Sequence, residues 1–337
     1  MKKFLYLAFV VTVSVLGVTA YLEYQASYGQ GDNLAPQPFE LVSGMGVLEL
    51  GSELEAKGII SSQYAFAWEV ATERLSRKLI AGEYELSGEQ SIQAILVAFT
   101  SGQVMSHDVK VTFPEGWTMK LMAERLNKNG LPGDAFLVEA TKPKLAIRDK
   151  YPFLKGLPAS ATLEGFLFPD TYRFAPDVTA DEIINTMLGT FGKRFSPELQ
   201  KGKMSTQYSL FEIVTLASIV EEEGRTEADR KIIADIFWKR LAAGQAFQSD
   251  ATVNYVLGSL KEQPTLKDIE VDSPYNTYKY PGLPPGPISN PSLISLNAAV
   301  NPTPNNYFYF LNNLETKEMY FAKTFAEHVE NRRIHGL

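Results

Sequence analysis

The chain has 337 residues, 45% of them hydrophobic and 21% charged, with a net charge of −7, and that length and composition predict more than one packed domain. The acidic balance, with no long basic run, excludes nucleic acid as a partner, since phosphate binding needs clustered Lys and Arg. Cysteine is absent, which removes disulfides, thiolate nucleophiles and cysteine-ligated metals.

The N-terminus places Lys2 and Lys3 before a run at 4–22 that carries no charge. At about 1.5 Å per helical residue such a run just spans a hydrocarbon core of roughly 30 Å. No Lys or Arg follows until Lys57, so the positive-inside rule puts residues 1–3 in the cytoplasm and everything after the span outside. A signal peptide cleaved near Val18-Thr19-Ala20 is the alternative, and the length of the run favours a retained anchor. Residues 23–38, polar and rich in Gly, Gln and Pro, read as a linker.

Folded material is expected from Phe39. A weak internal repeat follows, in which Gly44, Leu50, Leu54, Gly58 and Ile59 match Gly116, Met122, Leu126, Gly130 and Leu131 at a constant spacing of 72. Each copy predicts a strand and turn, then a short helix stopped by glycine. Residues 81–86 read as a strand and 91–102 as a helix ending at Gly102. Together these predict a small α/β module, either a spacer or a glycan-binding unit.

Further on, Ser209 and Glu212 form a capping box that starts a helix from Leu210 to Glu223, stopped at Gly224. Thr226 caps a second helix, with Ile232, Ile233, Ile236, Phe237 and Leu241 at helical spacing and Gly244 at its end. The stretch 273–291 holds six prolines and predicts a rigid, aromatic-bearing loop. Residues 306–311 read as a strand.

Most familiar chemistries lack their residues. Three histidines, His107, His328 and His335, are too scattered for zinc, and no metal site or cofactor is expected. No G-x-S-x-G elbow, Walker A loop or dinucleotide fingerprint occurs. Carboxylate chemistry remains, and glycosidic cleavage needs little more than a proton donor at the leaving oxygen.

The run Glu221-Glu222-Glu223 is the place to look for that donor. At about 100° per residue, Leu216, Ile219 and Val220 lie within about 60° of Glu223, whereas Glu222 is about 100° away and Glu221 about 160°. Only Glu223 continues the apolar face, where desolvation raises a carboxyl pKa. On this reading Glu221 is a solvated charge, Glu222 modulates its neighbour, and Gln is tolerated at both.

Four segments, at 163–174 (LEGFLFPDTYRF), 217–224 (ASIVEEEG), 247–258 (FQSDATVNYVLG) and 273–291, resemble in order and spacing the MltG-type (YceG-like) endolytic murein transglycosylases. The resemblance implies an α+β chain: a single transmembrane helix at 4–22, a LysM-like α/β module at 39–150 and a mixed helix/strand catalytic domain at 151–337. It implies Glu223 as the catalytic acid, the last acidic residue of the A-S-I-x-E-x-E segment. Gly224 stands where the family usually has Thr or another small polar residue, so the helix should end abruptly. Asn301 and Met319 stand where relatives often carry histidine.

The implied reaction cuts the β-1,4 bond between N-acetylmuramic acid and N-acetylglucosamine within nascent peptidoglycan strands, leaving 1,6-anhydro muramyl ends. Glu223 would serve as acid and then as base, the substrate's 6-hydroxyl being the nucleophile, so Glu164, Asp170 and Asp250 are not expected as second catalytic carboxylates. Tyr275, Asn276, Thr277 and Tyr278 in the proline-rich loop, with Gln248, Ser249, Asp250, Thr252 and Glu164, are the expected substrate-binding or acid-orienting residues. The same resemblance implies a bacterial inner (plasma) membrane location, with the catalytic domain extracytoplasmic and peptidoglycan synthases as neighbours. A non-catalytic glycan-binding scaffold of the cell-wall elongation machinery is the alternative.

Overall fold

The structure is a computed structural model describing residues 2–28, 31–102, 108–197, 199–259, 263–313, 315–316 and 318–336; of the three histidines, His107 lies outside them. The chain forms two compact units, Met1–His107 and Asp108–Leu337.

The first unit opens with helix α1 (Lys2–Tyr28), of which Lys3–Ser27, with a mean hydropathy of 2.1, is long and apolar enough to cross a membrane. The helix runs beyond the expected span into the stretch read as a linker. Ala26 is fully buried and Leu22 packs beside it on the first unit's core, and Ser61 donates to the Gln25 side chain at 2.9 Å. An apolar stripe with a core to cover keeps the backbone helical where polar composition alone predicts coil.

The rest of this unit is β1 (Gln37–Leu41), α2 (Val47–Ala56), α3 (Gln63–Thr72), β2 (Gly82–Leu86) and α4 (Ile92–Ser101). The strands pair antiparallel with Phe39 opposite Tyr84. Their inward rings meet Phe66 and Phe99, all fully buried. Helix α4 is capped by Ser91 and stopped by left-handed Gly102, as its sequence predicts.

The second unit begins with β3 (Val109–Thr112), α5 (Met119–Lys128), α6 (Gly133–Thr141) and α7 (Leu145–Lys150), followed by β4 (Thr171–Phe174) and α8 (Ala180–Arg194). The internal repeat is structural: β1 and β3 start at 37 and 109, and α2 and α5 start at 47 and 119. Residues 108–150, grouped with the first module on sequence grounds, fold with the second unit. The reason is strand pairing: β3 takes β4 as its partner, with Val111 opposite Tyr172, and α6 lays Phe136 and Ala140 on the core that α8 shares.

Helix α9 (Leu210–Glu223) is the axis of this unit. Ser209 and Glu212 form the expected capping box, and every residue at 213–220 is buried. Around it lie α10 (Glu227–Ala242), α11 (Asp250–Leu257) and α12 (Leu293–Val300), followed by the antiparallel hairpin β5 (Tyr309–Asn312) and β6 (Met319–Ala322) and by α13 (Phe325–His335). The proline-rich stretch between α11 and α12 is irregular. It is fastened to α9 at Ser218, whose hydroxyl accepts from Ile288 N at 3.0 Å.

Candidate active site

Helix α9 ends at the wall of a cleft of about 2010 Å³ lying wholly within the second unit. Pockets for single drug-sized molecules run to about 1,000 Å³, so this cleft has the scale of an oligomer. Glu223, the last residue of α9, lines it together with Gln248, Asp250, Tyr255, Tyr275, Tyr278, Arg240 and Tyr309.

Glu223 Oε1 accepts a 2.6 Å hydrogen bond from Ser249 Oγ. Burial pushes its carboxyl up to about 7; the Ser249 bond pulls it down, the Asp250 charge pushes it up and Arg240 pulls it down. A carboxyl poised there holds its proton at neutral pH and can release it, which a general acid requires.

The turn before α11 is built to present Ser249. Gln248 is one of two non-glycine residues with left-handed φ among those described, at +53°, a conformation costing on the order of 1 kcal/mol. Ser249 stands at the N-cap of α11 but makes no side-chain cap bond; its hydroxyl goes to Glu223 instead. Its backbone N–H donates to Thr277 Oγ1 at 3.1 Å, and Thr252 Oγ1 lies 2.9 Å from the same atom. Arg240 is held beneath by carbonyls, its Nε donating to Phe308 O at 2.8 Å and Nη1 to Phe247 O at 2.7 Å. A guanidinium so fixed offers its charge, rather than its position, to Glu223.

The residues expected to bind substrate divide into two sets. Tyr275, Tyr278, Gln248 and Asp250 face the cleft. Tyr278 donates to Asp250 Oδ1 at 2.6 Å, and the Tyr275 ring lies 5.1 Å from that of Tyr255. Asn276, Thr277 and Thr252 are buried and brace the wall from behind. Asn276 Nδ2 donates to Ile269 O and Val271 O, both at 2.8 Å, and its Oδ1 accepts from Tyr278 N. These bonds explain how a segment without regular structure holds its tyrosines in place. Glu164 is 2% exposed, its Oε1 accepting from Met119 N at 2.9 Å and Asn290 Nδ2 at 2.7 Å, and burial pushes its carboxyl up to about 8.

The other two glutamates of the run behave differently from the helix-phase reading. Glu221 is no solvated charge: its side chain is 5% exposed and pairs with Arg230 at 2.8 Å. Its Oε2 accepts from the N–H and Oγ of Ser292, the N-cap of α12, at 2.8 and 2.6 Å. Phase assumes one buried face, whereas α9 is enclosed by α10 and α12 as well as the cleft wall, so the side opposite Glu223 is also buried. Glu222 keeps an exposed surface; surrounding protein and the Glu221 charge push its carboxyl up, a push that access to water screens. Gly224 ends the helix in extended conformation, and a Cβ there would lie 2.3 Å from Arg230 Cγ. Glycine lets Arg230 cross the helix end and reach Glu221.

Two residues that organise the site escaped the sequence reading. Arg240 carried a signal, a lone cation three and four residues after Phe237 and Ile236 on an apolar helix face. Asn290, fully buried, accepts from the N–H groups of Gly165 and Leu167; its signal was only that of a polar residue just before a proline. Asn301 and Met319, which stand at the places of family histidines, are the C-cap of α12 and a residue packed against the core. Among the described residues no cluster could hold a metal ion.

Fold and site together define an α+β protein with a large cleft bordered by buried or half-buried carboxyls, Glu223 at the end of α9 among them. The chain belongs to the YceG-like family, whose model matches residues 39–334. A protein of Bacillus subtilis named endolytic murein transglycosylase is 34% identical over 302 residues, covering 85% of this chain and 81% of its own. One of the same name from Streptococcus pneumoniae is 30% identical over 356 residues, covering 96% of this chain, which spans 64% of that relative's length. The crystal structure of a YceG-like protein from Listeria monocytogenes matches with a TM-score of 0.59 at 35% identity, over 88% of this chain and 99% of that one.

Proposed function

We propose that the protein is a membrane-anchored endolytic murein transglycosylase that cuts peptidoglycan strands with Glu223 as the sole acid and base. The observation that carries this is Glu223 itself, half-buried at the wall of an oligomer-sized cleft, with one oxygen occupied by Ser249 and its pKa near neutrality. The bond to Oε1 leaves Oε2 to carry the proton toward the sugar.

The protonated carboxyl delivers its proton to the glycosidic oxygen as the bond from that oxygen to the muramyl anomeric carbon breaks. The carboxylate left behind is stabilised by the Ser249 hydroxyl and the Arg240 charge. It takes the proton of the muramyl 6-hydroxyl while that oxygen bonds to the anomeric carbon, closing the 1,6-anhydro ring and restoring the acid. Water is neither consumed nor required. Asp250, tied to the Tyr278 hydroxyl, raises the Glu223 pKa by its charge and is not a nucleophile in this scheme. Tyr275 and Tyr278 are placed to pack against pyranose rings, and Gln248 borders them.

The apolar α1 supports a single-pass anchor, with the rest of the chain outside the plasma membrane. The β–α–α–β order of the first unit supports the LysM-like reading and a glycan contact there, and peptidoglycan synthases are the expected neighbours. Mass analysis of digested peptidoglycan tests the reaction: anhydro ends are expected from the native protein and none from Glu223→Gln. Ordinary reducing ends would mean a hydrolase, and cleavage unchanged by Glu223→Gln would leave a scaffold.

A further inference from the structure

A second buried carboxyl borders the cleft without a part in that scheme. Glu164 lies on the segment between α7 and β4, and its two oxygens are not equivalent. Oε1 accepts from Met119 N at the first turn of α5 and from Asn290 Nδ2. Oε2 has no hydrogen-bond partner among the described residues, and Glu164 borders the cleft beside Tyr255, Tyr275 and Thr118.

Both donors address the same oxygen. The natural place for a proton is then Oε2, and a carboxylic acid in that state is a donor, not an acceptor. The titratable neighbours are Tyr255 on α11 and Tyr275 in the proline-rich loop, and each phenol is pushed up in part by the Glu164 charge. Burial is the first cause at Glu164, opposed by the Met119 N–H and the Asn290 amide; all three act from the elements packed against it, and none brings a positive charge. Tyr255 and Tyr275 pack ring to ring at 5.1 Å, which gives this end of the cleft an aromatic floor beside Glu164.

We propose that Glu164 is a specificity-determining residue: in its neutral form it donates from Oε2 to the acetamido carbonyl of a bound N-acetylated sugar, whose methyl group rests on the Tyr255–Tyr275 pair. The choice of acceptor follows from chemistry. An amide carbonyl is the strongest neutral acceptor that an N-acetyl sugar offers, and a donor buried against aromatic rings discriminates strongly against a sugar that leaves it unpaired. The assignment of the ligand rests on the peptidoglycan reading above; the protonation and direction of the bond rest on the geometry.

The test uses the full chain carrying Glu223→Gln, so that Glu223 neither cleaves nor titrates, and the β-1,4-linked hexamer of N-acetylglucosamine as probe. Its dissociation constant should rise about tenfold from pH 7 to pH 9 as Glu164 ionises. Adding Glu164→Gln, which keeps an acceptor and a donor, should flatten that dependence while Glu222, pushed up to about 7, still titrates. The β-1,4 glucose hexamer, without acetamido groups, should show no slope. Carbon-13 titration of the Glu164 carboxyl supplies a readout that needs no substitution at 164: the sugar should raise its pKa. An equal slope with Gln at 164, an equal slope with the glucose hexamer, or a carboxyl pKa unmoved or lowered by the sugar would each overturn the proposal. Anhydro ends produced by the native protein are measured separately, so a failure here is distinct from a failure of the proposed reaction.

Discussion

The two copies of the internal repeat began with the same plan and differ in what their glycines and helix ends face. In the first copy, Gly44 takes φ +88° with open space around it, and the N-terminus of α2 is served locally, Gly46 N donating to Glu49 of the same helix at 3.3 Å. In the second, Gly116 takes φ +77° with Glu222 Oε1 only 2.8 Å from where a Cβ would be, and the first turn of α5 donates to Glu164, 45 residues on. The first strand finds its return partner in β2 after two helices, while β3 finds one in β4, beyond α7. One supersecondary plan thus serves as a closed module in one place and as a wall of the cleft in another. What distinguishes them is that the second copy, beside its local Thr118 cap, also sends backbone donors at the turn and helix start outside the copy, Gly116 N to Asn290 O and Met119 N to Glu164.

The largest expected effect lies next to the second copy. Glu223→Gln should lower strand cleavage by roughly a thousandfold or more, within or above the usual contribution of a general acid, with the melting temperature little changed. A loss of only a few-fold would move the chemistry elsewhere along the cleft.

Glu221→Gln breaks a buried pair and weakens the anchorage of α12. It should destabilise the second unit by about 3 kcal/mol, seen as a lower denaturation midpoint, with most activity per folded molecule retained. A loss of activity matching that of Glu223→Gln, without destabilisation, would show the two carboxylates sharing the chemistry.

Glu164→Gln makes the contrast dependent on pH. The folded-state pKa of Glu164 is raised, so between its unfolded value near 4.5 and its folded value of about 8 the native state binds the extra proton. Stability from this group therefore falls as pH rises through that window. The variant should match the native protein near pH 4 and become progressively the more stable of the two toward pH 8. Parallel melting curves across that range would remove Glu164 from the set of buried protonated acids.

The smallest effects compare like with like. Gly44→Ala and Gly116→Ala each put a side chain into left-handed backbone, at roughly 1 kcal/mol. Only the second should also disturb Glu222 and slow cleavage, by several-fold. Equal activity in the two variants would mean that the turn of the second copy does not shape the site.

Much of this was legible along the chain. The Ser209–Glu212 capping box, the Gly102 stop, the span of α9 and the 72-residue repeat are local features, set by side chains within a turn or two of the backbone they control. Helix phase and the order of four segments both point to Glu223, and the structure puts that residue at the cleft wall. Glu221 was misjudged because phase describes a helix with one buried side, and α9 has several. Asn276 and Thr277, expected to bind substrate or orient the acid, are buried within their loop, because a proline-rich stretch does not reveal which polar groups its own backbone will need. Residues 108–150 were assigned to the wrong neighbour because antiparallel partners can be distant in sequence.

By itself, then, the sequence determined the apolar N-terminal helix, the span of α9 with its capping box, and the repeat, which depend on composition or on contacts within a few residues. Only the tertiary structure decided which carboxyl keeps its proton. That depends on what encloses each one: Ser249 and Arg240 at Glu223, Met119 and Asn290 at Glu164. The cost of charging a carboxyl is set by the water it loses and the dipoles it gains, and most of those groups come from segments 26 to 126 residues away.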